Sequence, residues 1–250
     1  MGVPKDILDL VNAVQATGEA FAVATVLRGA PASAARAGAR AVIAVDGTIS
    51  GDWIDGIARE ALLEAARAAS LDGRTRRLSL PIIAARRRQK IDVLVESMLP
   101  RPVLALFGAS PVALALSDLA RRMGFFVTVC APAADHAAFS EADRLVEGVL
   151  PPRDLAGDAF FVIATQGAGD RAALAAALAA PTRYVAFVGS RERIAWLKRA
   201  LARSGVAATA LDRIRAPAGL DIGAVTPEEI ALSIVAEMIA IRRRGQRSPL

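Results

Sequence analysis

In the second half of the chain, short apolar runs alternate with segments whose apolar residues recur at helical spacing. Such runs predict buried strands and amphipathic helices. The predicted strands cover residues 103–107, 125–130, 160–165 and 184–188, with weaker ones at 145–149 and 206–210. The predicted helices cover residues 111–123, 171–179, 192–204 and 227–242. This alternation is typical of an α/β fold: a Rossmann-like parallel sheet with helices on both faces and ligands at the carboxyl ends of its strands.

The first half has a different pattern, which predicts a smaller α+β domain. Its predicted helices cover residues 6–17, ending at Gly18, and 56–69. Its predicted strands cover residues 20–27, 40–45, 76–80 and 91–95, and Asp46-Gly47 turns the second strand back into residues 48–50 as a hairpin. Pro100 and Pro102 restrict the backbone around Arg101, so a short stiff connector is expected. We therefore predict two domains, residues 1–100 and 101–250.

Three loops of small and polar residues follow strands of the second half. They are Gly108-Ala109-Ser110, which leads into Pro111-Val112-Ala113, then Thr165-Gln166-Gly167, and Gly189-Ser190-Arg191. In a parallel sheet these loops share one edge, where glycine admits a ligand close to the backbone and helix amides hold phosphate. Arg191 adds a charged fork for an anion. The alternative is that small residues only close tight strand–helix corners.

The first of these loops departs from the dinucleotide-binding fingerprint. Ser110 and Ala113 replace its second and third glycines, and Ala131 stands where an acid normally holds a ribose hydroxyl. Asp135 would substitute only if its loop folds back. Cys130 at the same edge has two open interpretations, a reactive thiol or a small buried apolar residue.

Two further segments contain candidate ligand residues. Arg36, between Ser33 and Arg40, either faces an anion or is a solvated arginine in an entry loop. In the last loop, Gly219 and Asp221 have no simple local explanation, whereas Thr226 and the residues after it form a helix start. We expect this loop to pack over the ligand or across domains.

Composition narrows the function classes. The 250 residues carry a net charge of +6, and only 4% are aromatic, which argues against a stacking surface for single-stranded nucleic acid. The basic runs predict either a surface for an anionic partner or solvated helix ends and loops; they are Arg74/Arg76/Arg77, Arg86–Arg88 with Lys90, and Arg242–Arg244 with Arg247.

The counts of reactive residues exclude some sites. With one cysteine and one histidine, a disulfide within the chain and a metal site built from His and Cys clusters are excluded, and a Ser-His-Asp triad would need His136, which is predicted in a polar loop. We see no signal peptide and no apolar run of the roughly 20 residues that a membrane span needs, so a cytoplasmic protein is expected.

Several segments together resemble one family. RIRAPAGLDIGAVTPEEIALSIVAEMIAIRRR looks like the closing signature of the XdhC/CoxI family, YVAFVGSRER like its Gly-Ser-Arg loop, and GASPVALALSDLARRMGFFVTV like its Rossmann opening. FAVATVLRGAP and the hairpin after it resemble its N-terminal domain. The resemblance implies a maturation factor for molybdenum hydroxylases such as xanthine dehydrogenase and aerobic carbon monoxide dehydrogenase. It also implies binding of the molybdenum cofactor, its protection or its sulfuration with a partner sulfurtransferase, delivery to the apo-enzyme, and a homodimer.

The chain departs from the family at several positions. The family usually has Gly-Gly-Cys-x-Glu after the N-terminal hairpin, where an alignment on Gly51 places residues 55–59, without the thiol or the carboxylate. A Thr-His of the middle loop is Thr165-Gln166 here. With Ser110 and Ala131, these changes resemble the CoxF-like branch, which accompanies the copper–molybdenum carbon monoxide dehydrogenase.

The leading hypothesis is a non-catalytic assembly factor that binds molybdopterin cytosine dinucleotide. Gly108, Ser110 and Ala113 would hold the pyrophosphate region, Gly189-Ser190-Arg191 would contact an anion, and Arg36 would close the site. An oxidoreductase using NAD(P) or FAD, another nucleotide such as ADP as the ligand, and a scaffold with a vestigial site remain open alternatives. No residue is assigned a catalytic role.

Overall fold

The computed structural model describes residues 7–15, 19–29, 35–51, 59–84, 87–149, 159–180 and 182–243, without the side chains of residues 83, 84, 87 and 88. The described chain divides into two compact units, one running to Pro100 and the other beginning at Arg101.

The first unit is built on a five-stranded antiparallel sheet in the order β3-β2-β1-β5-β4. Its strands are β1 (Phe21–Arg28), β2 (Arg40–Ala44), β3 (Ile49–Gly51), β4 (Arg76–Ala84) and β5 (Arg87–Met98). The predicted hairpin is present, since Ile43 pairs with Ile49 across the turn. Strands β4 and β5 are longer than the segments that predicted them, because backbone pairing of this hairpin continues towards its turn, with Pro81 opposite Lys90 and Ile82 opposite Gln89.

Alternate residues of this sheet face two apolar clusters, as a strand period of two requires. Ala22, Ala24 and Val26 face the helix α2 (Arg59–Asp72), which contributes Leu62 and Ala66 to the core. The opposite face of β1 presents Phe21 and Val23, which pack with residues of the short helix α1 (Ile7–Gln15). The first unit is therefore an α+β fold with a helix on each face of its sheet.

The second unit is built on a six-stranded parallel sheet in the order β11-β10-β9-β6-β7-β8. Its strands are β6 (Val103–Phe107), β7 (Phe126–Cys130), β8 (Arg144–Val146), β9 (Ala159–Ile163), β10 (Thr182–Phe187) and β11 (Ile214–Arg215). The chain runs outward in one direction from β6 to β8 and returns to run outward in the other from β9 to β11. This doubly wound order is the Rossmann arrangement, and the strand order reverses between β6 and β9.

Helices cover both faces of the parallel sheet. Because successive strand residues point to opposite faces, the residues packed against each helix show which face it covers. Leu104, Leu106 and Phe160 pack with α3 (Pro111–Arg122) and the final helix α7 (Pro227–Arg242). Phe107 and Phe161 pack on the other face with α4 (Asp170–Ala179) and α5 (Arg191–Arg203). Strands buried on both sides explain the continuous apolar runs of the sequence.

Two local predictions in this unit are wrong. Residues 206–210 do not form a strand: Ala208–Leu211 is a one-turn helix, α6, in which the N–H of Leu211 donates to the carbonyl of Ala207 at 3.2 Å. Alanine favours helix, and the strand beside β10 is supplied by Ile214–Arg215 instead. Similarly, His136 lies in a 3₁₀ helix, Ala133–Phe139, rather than in an irregular loop.

Some predictions fall outside the described residues. They concern Gly18, Ser33, the start of the helix predicted at residue 56, the segment 55–58, Arg86, Arg244 and Arg247. None of the helices in the described ranges combines the length and apolarity that crossing a membrane requires.

Candidate functional site

The carboxyl edge of the parallel sheet brings together the three loops that the sequence singled out. Strands β10, β9 and β6 are consecutive neighbours, so the loops that follow them lie side by side. The point where the strand order reverses, between β9 and β6, is the crevice where ligands bind in open α/β sheets. The loops beginning at Gly108 and Ala164 flank this crevice.

Gly108 is required by a close approach of two loops. Its φ is +105°, and a Cβ placed on it would lie 2.5 Å from the carbonyl oxygen of Ala164 and 2.6 Å from the Cα of Thr165. Its N–H donates to the carbonyl of Cys130 at 2.9 Å, which continues the sheet pairing. Gly108 therefore holds the two sides of the crevice against each other, which is also what a tight corner without a ligand requires.

Ser110 caps helix α3. Its Oγ accepts a hydrogen bond from the N–H of Ala113 at 3.2 Å, and its backbone is extended, as an N-cap residue requires. Pro111 occupies the first helical position and has no N–H. Of residues 111–113, only Val112 therefore keeps a backbone N–H without an intrahelical or capping acceptor. Ala109 and Ser110 are largely buried beside it.

The loop between β9 and α4 is organised by a buried carboxylate that no pattern in the sequence indicated. Asp170 is 2% exposed, and its Oδ1 accepts from the hydroxyl of Thr165 and, at 3.3 Å, from the N–H of Gly167. Between these donors, Gln166 adopts a left-handed conformation with φ +51°, which is unusual for a residue with a side chain, and it lies exposed at the edge. The loop is thus fixed from inside.

Arg193 connects this loop to the next one. Its Nε donates to Oδ2 of Asp170 at 2.9 Å, and its Nη2 lies 2.9 Å from the same oxygen. The guanidinium also lies over the ring of Trp196, 5.2 Å from the centroid. Spacing alone gave no signal for this arginine, because its carboxylate partner lies 23 residues away on another helix.

In the loop after β10, Gly189 makes room for an aromatic ring, since a Cβ would lie 2.5 Å from Cε1 of Phe187. Ser190 caps α5 by accepting from the N–H of Arg193 at 3.1 Å. The pKa of Glu192 is lowered, first by its own backbone N–H and then by the Ser190 hydroxyl, so this carboxylate lies against the start of α5. Arg191 is exposed.

At the end of β7, the usual ribose-binding acid is replaced by buried Ala131. Asp135 lies in the 3₁₀ helix that follows, where its N–H donates to the carbonyl of Pro132 at 2.9 Å, and His136 Nε2 lies 3.0 Å from the carbonyl oxygen of Ala131. Cys130 is 3% exposed and belongs to the apolar core. The structure therefore favours the small apolar interpretation of this cysteine.

Gly219 and Asp221 have different surroundings. A Cβ on Gly219 would lie 2.2 Å from Oγ of Ser233 and 2.9 Å from the N of Ile234, so this glycine lets the loop lie directly on α7. Its N–H donates to Oε2 of Glu237 at 3.1 Å. Asp221 is exposed. Packing against a helix thus accounts for Gly219 without a ligand.

Arg36 belongs to the first unit, where it is exposed and its carbonyl accepts from the N–H of Ala39 at 3.0 Å. A role for Arg36 at the sheet edge of the second unit stays a prediction. Two members of the basic runs have acidic partners: Arg76 Nη2 lies 2.7 Å from Asp72, and Arg77 Nη2 lies 3.2 Å from Asp92. These two arginines fit the solvated interpretation of their run.

In the described part of the chain, no group of three or more His, Cys, Asp and Glu residues is placed so that it could hold a metal ion. The exposed groups along the edge include the amide of Gln166, the hydroxyl of Ser190 and the guanidinium of Arg191, with the carboxylate of Glu192 beside them.

Comparisons with known proteins match both units. A family model described as the XdhC Rossmann domain matches residues 104–238, and one described as the XdhC and CoxI family matches residues 14–81. The chain is 31% identical to the uncharacterized protein YqeB of Escherichia coli (strain K12) over 153 residues, which cover 58% of this chain and 28% of that protein. It is 33% identical to a probable xanthine dehydrogenase subunit of Bacillus subtilis (strain 168) over 165 residues, which cover 62% and 48%.

The chain therefore matches less than half the length of each of these two curated relatives. A solved structure described as a xanthine dehydrogenase from Bacillus halodurans is 19% identical, with 96% of each chain covered and a TM-score of 0.49.

Proposed function

This chain belongs to the XdhC and CoxI family, and on that premise we propose that it is a maturation factor for a molybdenum hydroxylase that binds a nucleotide-type cofactor at the carboxyl edge of its parallel sheet. The observation that carries the proposal is the reversal of strand order between β6 and β9 with Gly108 and the loop at Thr165 on either side. The proposed role is assembly of the partner enzyme, and it is supported by membership of the XdhC and CoxI family.

The edge fits a nucleotide-type ligand in two respects. The sheet topology provides a crevice at its reversal point, and the loops beside it are short, glycine-containing and exposed at Gln166, Gly167 and Ser190. Arg191 and Arg193 supply positive charge there. A phosphate-containing molecule therefore has both a place and donors.

In a third respect the edge does not fit an ordinary NAD site. Ala131 removes the acid that would hold a ribose hydroxyl, and the capped start of α3 leaves one amide donor, at Val112, among residues 111–113. NAD(P) and FAD are accordingly poorer candidates than a ligand whose anionic part is held by side chains.

The finer form of the proposal names molybdopterin cytosine dinucleotide as the ligand and a carbon monoxide dehydrogenase-type apo-enzyme as the partner. Its support is the resemblance of Ser110, Ala131 and Gln166 to the CoxF-like branch. A sulfurtransferase as second partner and a homodimer belong to the same proposal, as do contributions of Arg36, Asp221 and Gly219 to the ligand site.

The ligand can be tested on the purified protein. We expect native mass spectrometry under reducing conditions to show a bound pterin or nucleotide, which denatured extraction would then release for identification. A protein that is empty, and remains empty after incubation with molybdenum cofactor, ADP, NAD and FAD, would contradict the proposed cofactor site. Extraction of NAD or FAD would instead favour an oxidoreductase.

The assembly role can be tested in the organism. Without this protein, we expect the molybdenum hydroxylase to be produced at normal amounts but with reduced molybdenum content and activity. A fully loaded, active enzyme from such cells would rule out the maturation role, whatever the purified protein binds.

A further inference from the structure

The guanidinium of Arg193 contacts the carboxylate of Asp170 and the ring of Trp196, and these contacts leave its Nη1 group without a partner among the described residues. Asp170 Oδ2 receives both Nε and Nη2, and the ring of Trp196 lies 5.2 Å from the guanidinium carbon. Among the described residues, no hydrogen-bond acceptor is found for Nη1. The side chain of Arg193 is 42% exposed, so part of it is open to solvent.

Asp170 serves to orient Arg193. Its side chain is 2% exposed, and both of its oxygens are occupied, Oδ1 by Thr165 and Gly167 and Oδ2 by Arg193. Three hydrogen bonds, and a second contact from the same guanidinium, fix the position of this carboxylate. The guanidinium that it holds is therefore preorganised, which lowers the entropy that binding would otherwise cost.

The other anion-binding features of the edge are reduced by the protein itself. The Ala113 N–H is taken by Ser110, and at the start of α5 the carboxylate of Glu192 accepts from its own backbone N–H and from the Ser190 hydroxyl. Arg191 is exposed and has none of the contacts that fix Arg193. Recognition of an anionic group thus falls mainly to Arg193.

We propose that Arg193, positioned by Asp170 and Trp196, is the residue that binds the phosphate group of the ligand at this edge, in place of the helix amides that an ordinary dinucleotide site uses. The proposal rests on the proposed function, because it assumes that a nucleotide-type ligand occupies the edge. It replaces Arg191 by Arg193 as the principal anion contact and makes Asp170 a positioning residue.

The experiment compares binding of CDP, ADP, cytidine and inorganic phosphate to the full chain by calorimetry. We expect Arg193→Met to weaken CDP binding by about tenfold or more, the effect of losing a charge-assisted hydrogen bond, while binding of uncharged cytidine changes little. Arg199→Met, which removes an exposed arginine further along the same helix, is the matched control and should change CDP binding by less than about threefold.

Arg193→Met leaves the buried Asp170 carboxylate without its cation, so this variant is checked by circular dichroism and thermal unfolding. The double variant Asp170→Asn/Arg193→Met removes both charges and should fold while retaining the loss of CDP binding. Asp170→Asn alone should weaken CDP binding while Arg193 remains, and the double variant should be no weaker than Arg193→Met, since the carboxylate acts through the arginine.

Four outcomes decide the inference. Loss of CDP binding in the folded double variant, with Arg199→Met unaffected, supports it. Unchanged CDP binding in that variant overturns the role of Arg193 and leaves the proposed function standing. If the unaltered protein binds neither nucleotide, the nucleotide site itself is wrong; binding of inorganic phosphate as tightly as CDP would show that the site recognises a free anion and would overturn the nucleotide ligand.

Discussion

Tyr184 and Glu237 form a buried hydrogen bond in the second unit, in which the phenol O–H donates to Oε2 at 2.6 Å. The same carboxylate receives Arg215 Nη1 at 2.8 Å and the N–H of Gly219 at 3.1 Å. One side chain of α7 thus connects β10, β11 and the loop that follows them. Burial, followed by this hydrogen bond, raises the pKa of Tyr184 above its ordinary value of 10.0.

The raised pKa of Tyr184 predicts a loss of stability at high pH. The unfolded chain releases the phenol proton near pH 10 whereas the folded chain retains it, so the contribution is complete below pH 10 and is lost as the pH rises beyond it. Unfolding free energy should fall less steeply above pH 10 in Tyr184→Phe. Because Tyr184 is the only tyrosine, absorbance near 295 nm reports its ionisation directly; a transition in the folded protein at pH 10 would contradict the prediction.

At neutral pH the same substitution tests the hydrogen bond itself. Tyr184→Phe removes one of the three donors to Glu237 and should lower the free energy of unfolding by about 1–3 kcal/mol, measured by urea denaturation. An unchanged midpoint and slope would show that the remaining donors compensate.

The ion pair between Arg76 and Asp72 predicts a pKa shift that can be measured in the folded protein. The hydrogen bond from Arg76, with the N–H of Arg74, lowers the pKa of Asp72 to about 2. In Arg76→Met this pKa should rise towards 3.8. The carboxyl chemical shift of Asp72 during an acid titration measures this change. Any stability that this pair contributes is present above pH 3.8 and is lost as the pH falls towards 2. Arg77→Met, whose partner is Asp92, is the control and should leave Asp72 unchanged.

Alanine variants of two glycines in the second unit allow the cost of backbone strain to be measured apart from the cost of steric contact. Gly108 and Gly124 both have positive φ, +105° and +83°, but only Gly108 has atoms where a Cβ would lie. Gly124→Ala should cost about 1–2 kcal/mol of unfolding free energy from strain alone. Gly108→Ala should cost clearly more, because the backbone of Ala164 and Thr165 must move. Equal costs for the two variants would refute the close approach of these loops.

The cap of α3 gives a prediction about Ser110. Ser110→Ala removes the acceptor of the Ala113 N–H and should lower the free energy of unfolding by about 1 kcal/mol, whereas Ser110→Gly should cost only a few tenths. Thermal or urea unfolding of both variants measures the difference. If alanine is tolerated as well as glycine, the hydroxyl at this position has another purpose than capping.

The sequence was informative where burial alone decides the structure. Strands β6, β7, β9 and β10 are buried on both faces, so their apolar runs were visible, and Pro227–Arg242 was bounded by its cap. It failed at residues 206–210, where an apolar run was short enough to fit either a strand or a helical turn. The extension of β4 and β5 was missed because residues 87–90 of β5 are polar, and only their pairing with residues 81–84 makes both segments strands.

The placement of the three loops could be predicted from the sequence, but the contacts between their side chains could not. The three loops lie at one edge because strand topology places them there, and that follows from the alternation of strands and helices. The pairing of Asp170 with Arg193 depends on the rotation of two helices about their axes, which no local pattern encodes. Arg191 was favoured because it directly follows the glycine and serine, whereas the capped helix turns Arg193 towards the neighbouring loop.

The burial of Cys130 has a consequence for how sulfur would be handled. A persulfide forms on an accessible thiolate, and the single sulfhydryl of these 250 residues lies in the apolar core at 3% exposure. A relay in which sulfur passes from one cysteine to another within this chain is therefore not available. If the proposed function holds, a sulfur atom destined for the molybdenum centre would pass from its donor to the bound cofactor without a persulfide on Cys130 as an intermediate.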